Sequence, residues 1–415
     1  MIKETVCVSE KKTSLTVTNG EVSAVLRSNV RKTGRRLYDG ASLGIAGAIG
    51  TYDDEELTGR ARQMLNFKVP YTCSPAANVK RSVDLSGGLS VSDEEFVNTS
   101  KKILSVLKEK YPNFMFSHKI NLIESEQSLI NDIGTELMQK DRYFDFTLIV
   151  KHRESANMLD GLSWIVSRDM DYDMILDEMA WACESYNNKV DFSEEIERVP
   201  VVMLGGDQFY KKFLTDLEGD TFGSRASLFS GKTGEKLFND NFSLMVDRDA
   251  KLTFSRFFDG EGVVLPEDSY ALIESGVLKA PYTSKRIAEK HGLPITGSAS
   301  LDYDSAPYPS PESIVIARSD KTIKELLGGR TAIYVVLASG GDFTPQGEYA
   351  SPIQVAYLFD GDNFLGRLPQ LAMSSTVGEM FGKDFIGASS DGSYPNCPFS
   401  YVAIDMNVKK IDNWM

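Results

Sequence analysis

Asn19-Gly20 stands between two stretches of alternating polarity, Ser14-Leu15-Thr16-Val17-Thr18 and the series Val22, Ala24, Leu26. A two-residue turn of this composition tolerates positive φ at both positions, as a type I′ turn requires, so the pattern permits a β-hairpin and little else. A second hairpin is predicted at Asp39-Gly40, with Leu43, Ile45 and Ala48 beyond it. Acidic residues from Asp53 to Glu56 then open a helix with Leu57, Ala61 and Met64 on one face, acids first as the helix macrodipole favours. Residues 1–70 therefore read as a ββββα unit.

The stretch from Pro70 to Ser92 shows no periodicity and reads as a connection. Ser92 and Glu95 form a capping box for a helix through Phe96, Ile103, Leu104 and Leu107, stopped before Pro112. Strands are predicted at about 114–123, 134–138, 143–152 and 162–167, followed by a helix near 174–186. Met158-Leu159-Asp160-Gly161 precedes a strand and an acid-started helix, as Leu37-Tyr38-Asp39-Gly40 does. Residues 71–195 thus read as a second helix and hairpin unit, weakly repeating the first.

From Arg198 the texture changes. Pro200 opens a short buried-type strand, Val201-Val202-Met203-Leu204, ended by Gly205-Gly206. A helix is predicted from about Gln208 to Leu217, and others near 284–290 and 375–381. Between them many short strands are broken by Gly, Pro, Asn and Asp. The fold class is α+β: two hairpin-and-helix units, then a β-rich domain over 196–415.

Charge narrows the function. Fifty-nine acidic against 45 basic residues give a net charge of −14, which repels phosphate backbones and argues against a nucleic-acid partner. The short basic cluster Arg31, Lys32, Arg35 and Arg36 does not reverse this. Four scattered cysteines (Cys7, Cys73, Cys183, Cys397) include no CxxC pair and read as reduced thiols. With no apolar leader or spanning run, the expectation is a cytoplasmic protein with no membrane partner.

Local motifs supply no catalytic centre. The three histidines, His118, His152 and His291, are far apart and no His-Glu dipeptide exists, so a helical zinc-protease motif is excluded. Gly40-Ala41-Ser42-Leu43-Gly44 matches GxSxG, but a nucleophile elbow needs a strand before it and a helix after it, and here a hairpin turn precedes a strand. Ser230-Gly231-Lys232-Thr233 resembles the end of a phosphate loop, yet Ala226 stands where its first glycine belongs. Cys397, in Tyr394-Pro395-Asn396-Cys397-Pro398, reads either as a thiolate or as a small buried hydrophobe. Ser339-Gly340-Gly341-Asp342 reads either as a tight turn or as a place where a peptide backbone approaches closely, so Gly340, Gly341 and Asp342 are candidate substrate-binding residues.

Several blocks then carry a resemblance. Leu217-Glu218-Gly219-Asp220 and Ser227 to Glu235 are followed by Asp259-Gly260-Glu261-Gly262, Leu272 to Lys279 and Thr296-Gly297-Ser298-Ala299. Ser339 to Asp342 with Gly347-Glu348-Tyr349, and Tyr357-Leu358-Phe359-Asp360-Gly361, complete the order. The sequence resembles the TldD/PmbA family, once called modulators of DNA gyrase, over nearly its whole length. In zinc-bearing members the run before Leu-Glu-Gly-Asp is His-Glu-x-x-x-His, and the corresponding positions here hold Tyr210, Lys211 and Thr215. The resemblance implies that both imidazoles and the general base are gone, and that Cys397 occupies the place of the remaining ligand. No metal and no cofactor are therefore expected.

The chain looks like the PmbA (TldE) side of the family, whose members pair with a zinc-bearing paralogue in an intracellular peptidase acting on small or unfolded peptides. The expectation is a chain inactive alone, dimeric with itself or with that paralogue, and making its contact through edges of the C-terminal half. The alternatives are a non-catalytic peptide-binding or scaffold homodimer and, last, an independent hydrolase using Cys397 or Lys211.

Overall fold

The computed structural model describes residues 1–193 and 195–411. Glu194, beside the expected boundary, and the last four residues of the expected C-terminal segment lie outside the described residues.

The first hairpin joins β1 (Ile2–Thr18) to β2 (Glu21–Tyr38) through Asn19 and Gly20, at φ 51° and 75°. β3 (Leu43–Ile49) follows, then helix α1 (Asp54–Met64), capped by Asp53 accepting from the Glu56 amide at 2.8 Å. Leu57 and Ala61 are buried, whereas Met64, expected on the same face, is exposed. The unit is βββα rather than ββββα. β1 and β2 remain paired through Glu10–Lys12 and Arg27–Lys32, where both faces carry charge and the alternation gives no sign of a strand.

The predicted connection at 70–92 contains β4 (Lys80–Leu85), whose alternate residues Arg81, Val83 and Leu85 are half-buried. Half-burial on one face left too faint a period to read. Helix α2 (Asp93–Lys110) has the predicted capping box, with Phe96, Ile103, Leu104 and Leu107 buried. β5 (Phe114–Asn131) and β6 (Glu136–His152) are each one long strand where shorter pieces were expected. Their polar middles, Glu124–Glu126 opposite Lys140–Arg142, persist as strand because the ladder runs unbroken through them. β7 (Gly161–Ser167) and α3 (Tyr172–Ser185) complete this half.

All seven strands form one sheet in the order β3-β2-β1-β5-β6, with β4 and β7 both paired to β6. β1 and β5 pair antiparallel from Glu4 opposite Asn131 to Val17 opposite His118. The series β1-β2-β3-α1 and β5-β6-β7-α3 are therefore arranged about that pairing as two similar arms. Helices α2 and α3 bury Phe96, Ile103, Ile175 and Met179 against Phe116, Phe144 and Phe146 of the sheet.

β8 (Glu197–Leu204) starts the second half. Pro200 lies inside it rather than at its first residue. It is tolerated because the parallel neighbour pairs only from Val201 onward. Around β8 a ring closes through strands Tyr401–Lys410, Leu371–Thr376, Glu348–Phe359 and Ala332–Ala338, which returns to β8. A closed ring has no edge strands. The ring itself therefore exposes no edges, contrary to the expectation for this half. The free edge that stands out is instead Glu21–Arg31 of β2, because β3 pairs only with Lys32–Tyr38.

Helix α4 (Asp207–Asp216) packs on the barrel through Phe209, Tyr210 and Phe213. The Phe213 ring lies 4.9–5.5 Å from those of Phe229, Phe238, Phe242 and Phe381. The two other predicted helices occur at Lys285–His291 and Val377–Phe381, capped by Ser284 and Thr376.

The halves meet under the end of β2. Arg36, fully buried, donates through Nη1 to the Gly260 carbonyl at 2.5 Å and to Glu4 Oε1 at 3.4 Å, and through Nη2 to the Asp302 carbonyl at 3.1 Å. Beside it the chains approach so closely that a Cβ on Gly34 would stand 1.9 Å from the Tyr303 carbonyl oxygen.

Candidate functional site

α4 starts abruptly after β8. Gly205 and Gly206 adopt φ of 72° and 62°, and a Cβ on Gly206 would meet the Val402 side chain at 2.6 Å. Only glycine turns the chain here without displacing the barrel wall. The helix that follows therefore has a fixed rotation, which sets where the three candidate positions point.

Tyr210 points inward. It is buried, its hydroxyl donates to the Ile314 carbonyl at 3.4 Å, and burial pushes its pKa up to about 12. Lys211 points outward and pairs with Asp342, Nζ to Oδ2 at 2.9 Å, with both side chains more than half exposed. That ammonium holds the Asp342 carboxyl below the usual carboxylate range. Thr215 donates to the Lys211 carbonyl at 3.5 Å, inside its own helix. The structure thus brings Lys211 and Asp342 together across 131 residues, while Tyr210 belongs to the core.

Ser339 to Asp342 is held from within the chain. Gln354 accepts from the Ser339 amide and donates to the Ser339 carbonyl, both at 2.9 Å. Gly340 has φ 89°, and a Cβ on Gly341 would lie 2.3 Å from the Ala350 carbonyl oxygen. The close approach is to the neighbouring strand.

Cys397 is buried among residues of the N-terminal core, on a loop tied to β7 by Tyr394, whose hydroxyl accepts from the Val166 amide and donates to the Val166 carbonyl. Burial pushes the thiol's pKa up, the opposite of an activated thiolate. Cys397 shares neither a hydrogen bond nor a packing cluster with Tyr210, Lys211 or Thr215. Among the described residues no three His, Cys, Asp or Glu side chains converge as a metal site would require. A phenol in the core, an ion-paired ammonium and a helix-bonded hydroxyl do not fit zinc.

Ser42 sits in the loop capped by Asp39, whose Oδ1 accepts from the Ala41 and Ser42 amides, and Ser230 donates to the Phe222 carbonyl in a turn. The same geometry sets a scale for the Lys211–Asp342 pair. An exposed ion pair contributes below about 1 kcal/mol, so Lys211→Ala should leave the unfolding midpoint within about two degrees of the parent in a thermal melt. A larger loss would show that the pair holds the loop in place.

Sequence reasoning missed one concavity. A cleft of about 700 Å³ opens between α3, the barrel strand Ala332–Ala338 and the loop Asp391–Pro395. Its walls include Glu178 and Trp181 of α3 with Tyr334, Phe364, Tyr394 and Tyr401. Glu178 is half-buried in this wall, and its desolvation lifts the carboxyl's pKa well above the usual carboxylate range. No local motif marks this place, since Glu178 and Trp181 of α3 are joined there by residues from Tyr334 onward.

Comparison with known proteins agrees with this architecture. Residues 202–410 match the family described as PmbA/TldA metallopeptidase C-terminal domain. An uncharacterized protein of Methanocaldococcus jannaschii is 25% identical over 240 residues, 56% of this chain and 54% of its own length, so the chain spans about half of that relative. TldE from Thermococcus kodakarensis superimposes with a TM-score of 0.80 at 18% identity, over 98% of this chain and 96% of that one. A candidate modulator of a DNA gyrase from Thermotoga maritima does so with 0.78 at 17%, over the same shares. Barrel, helix α4 and the ordered sequence blocks all point one way: the chain belongs to the PmbA/TldD family.

Proposed function

We propose that this chain is the metal-free, non-catalytic member of a TldD/TldE-type peptidase, forming with a zinc-bearing paralogue the chamber in which small or unfolded peptides are cut. One observation carries the reading. The helix that bears the metal motif in zinc-bearing relatives is present and rigidly placed, but its key positions hold a core tyrosine, an ion-paired lysine and a helix-bonded threonine. On this reading the scaffold is kept and the zinc chemistry is left to the paralogue. Gly340, Gly341 and Asp342, beside Lys211, would then serve to guide substrate, and the dimer contact would use the C-terminal half. The four cysteines are all unpaired, which suits a reducing cytoplasm. Among the described residues no helix is long and apolar enough to cross a membrane.

The purified chain should release no fragments from an unfolded casein-like substrate and carry no stoichiometric zinc by elemental analysis. Adding a paralogue with His-Glu-x-x-x-His from the same organism should give a co-eluting complex that cleaves the substrate. A stable homodimer that binds peptide but ignores that paralogue would instead establish the scaffold reading. Turnover by the chain alone, lost in Cys397→Ala, would establish a thiol hydrolase.

A further inference from the structure

The cleft beside α3 lies on the other face of the barrel wall from α4. Along β8 and its neighbours, Val202, Tyr334, Tyr401 and Ala403 face the cleft side, whereas Val201, Ile333 and Ile404 pack with the α4 core. Its contents are chemically one-sided. Every charged side chain lining it is acidic: Asp177, Glu178, Glu184, Asp362 and Asp391. Three of these have partners of their own. Glu184 is paired with Lys110 at 3.1 Å, Asp362 with Lys324, and Asp391 accepts from the Ile323 amide at 2.9 Å.

Glu178 is different. It is half-buried in the wall, forms no salt bridge among the described residues, and lies near Ser393, whose buried hydroxyl has no hydrogen-bond partner. Around it stand aromatic rings held in place by one another. Trp181 lies 4.2 Å from Phe364 and 6.0 Å from Tyr334, centroid to centroid, and Tyr334 lies 6.1 Å from Tyr401.

We propose that this cleft binds an organic ammonium group, with Trp181 and its neighbouring rings around the cation and the Glu178 carboxylate as its counter-charge. A wall of carboxyls repels anions, and aromatic faces attract cations through their quadrupoles, most strongly where water is excluded. A carboxylate partly withdrawn from water with no cation beside it is costly, and an arriving ammonium would supply that cation. The chemistry fits a peptide's free α-ammonium or a lysine side chain. The inference does not rest on the role of α4 and stands or falls separately from it.

Isothermal titration of the full chain with n-butylammonium, and with n-butanol as its neutral counterpart, tests the proposal. The ammonium should bind at least tenfold more tightly than the alcohol. Glu178→Gln, which keeps the side chain's shape, should weaken the ammonium roughly tenfold, about 1.4 kcal/mol, and leave the alcohol unchanged. Trp181→Leu should weaken it severalfold. Norleucinamide and Nα-acetyl-lysinamide separate the two sources, the tighter binder naming the ammonium that the cleft takes. Equal binding of ammonium and alcohol, no binding of either, or an ammonium affinity untouched in a folded Glu178→Gln variant would each overturn the assignment.

Discussion

Arg36→Ala should destabilise the protein by about 3–5 kcal/mol, because removing one partner of a buried pair strands the other charge in the interior. Arg36 is fully buried where β2 passes under the C-terminal half, and its guanidinium serves two backbone carbonyls and a carboxylate. Without it, Glu4 keeps only the Tyr38 hydroxyl at 2.9 Å and the Asn131 amide at 3.4 Å, and the carbonyls of Gly260 and Asp302 lose this donor. Urea unfolding of the parent and the variant measures the loss. Glu4→Gln in the same background should recover part of it by removing the stranded charge. A loss below about 1 kcal/mol, the worth of an exposed pair, would show that water or a rearrangement replaces the guanidinium.

Glu261 should make the fold less stable as pH rises. It is buried, and that burial, followed by the nearby Asp259 charge, raises its pKa from 4.5 to about 7. It accepts from the Tyr71 hydroxyl and from the Lys285 amide at 2.6 Å, so a proton on the carboxyl still leaves an oxygen to accept. A carboxyl whose folded pKa is the higher one binds more protons folded than unfolded between those values. Its contribution is complete below about pH 4.5 and is lost as pH climbs to about 7, by up to about 3 kcal/mol. Urea midpoints at pH 5 and pH 7.5 should therefore diverge in the parent and converge in Glu261→Gln. The Gln variant has its own baseline, since its amide cannot accept at both ends, so the slope is the quantity to read. Identical slopes in the two proteins would remove Glu261 as the cause.

Features encoded within a few residues were readable from the sequence. Asn19-Gly20 fixes its turn because two adjacent residues must take positive φ, and Ser92 with Glu95 closes its box within a single helical turn. The helix carrying Tyr210, Lys211 and Thr215 was placed to within a residue. What stayed hidden depends on register between distant segments. β4 is visible only once β6 is beside it, and the barrel closes only when Ala332–Ala338 reaches β8. The pairing of Lys211 with Asp342 was equally hidden, although each residue had been singled out alone. The cleft was the least accessible of all, because its aromatic and acidic walls are ordinary core and surface residues until the two halves face each other.

The central pairing of the N-terminal sheet has a cost in time. β1 and β2 form a local hairpin, and such hairpins close within about 1–10 μs. The inner strand's other partner is far along the chain, with Ser14 bonded to Asn121 across 107 positions and Glu4 to Asn131 across 127. A ribosome adds about 5–20 residues per second, so roughly 100 residues take seconds to arrive. For that interval a 17-residue strand waits with its backbone donors and acceptors unmet on one side. The nascent chain is thus most open to wrong partners, and most in need of a chaperone, early in translation and well before its barrel exists.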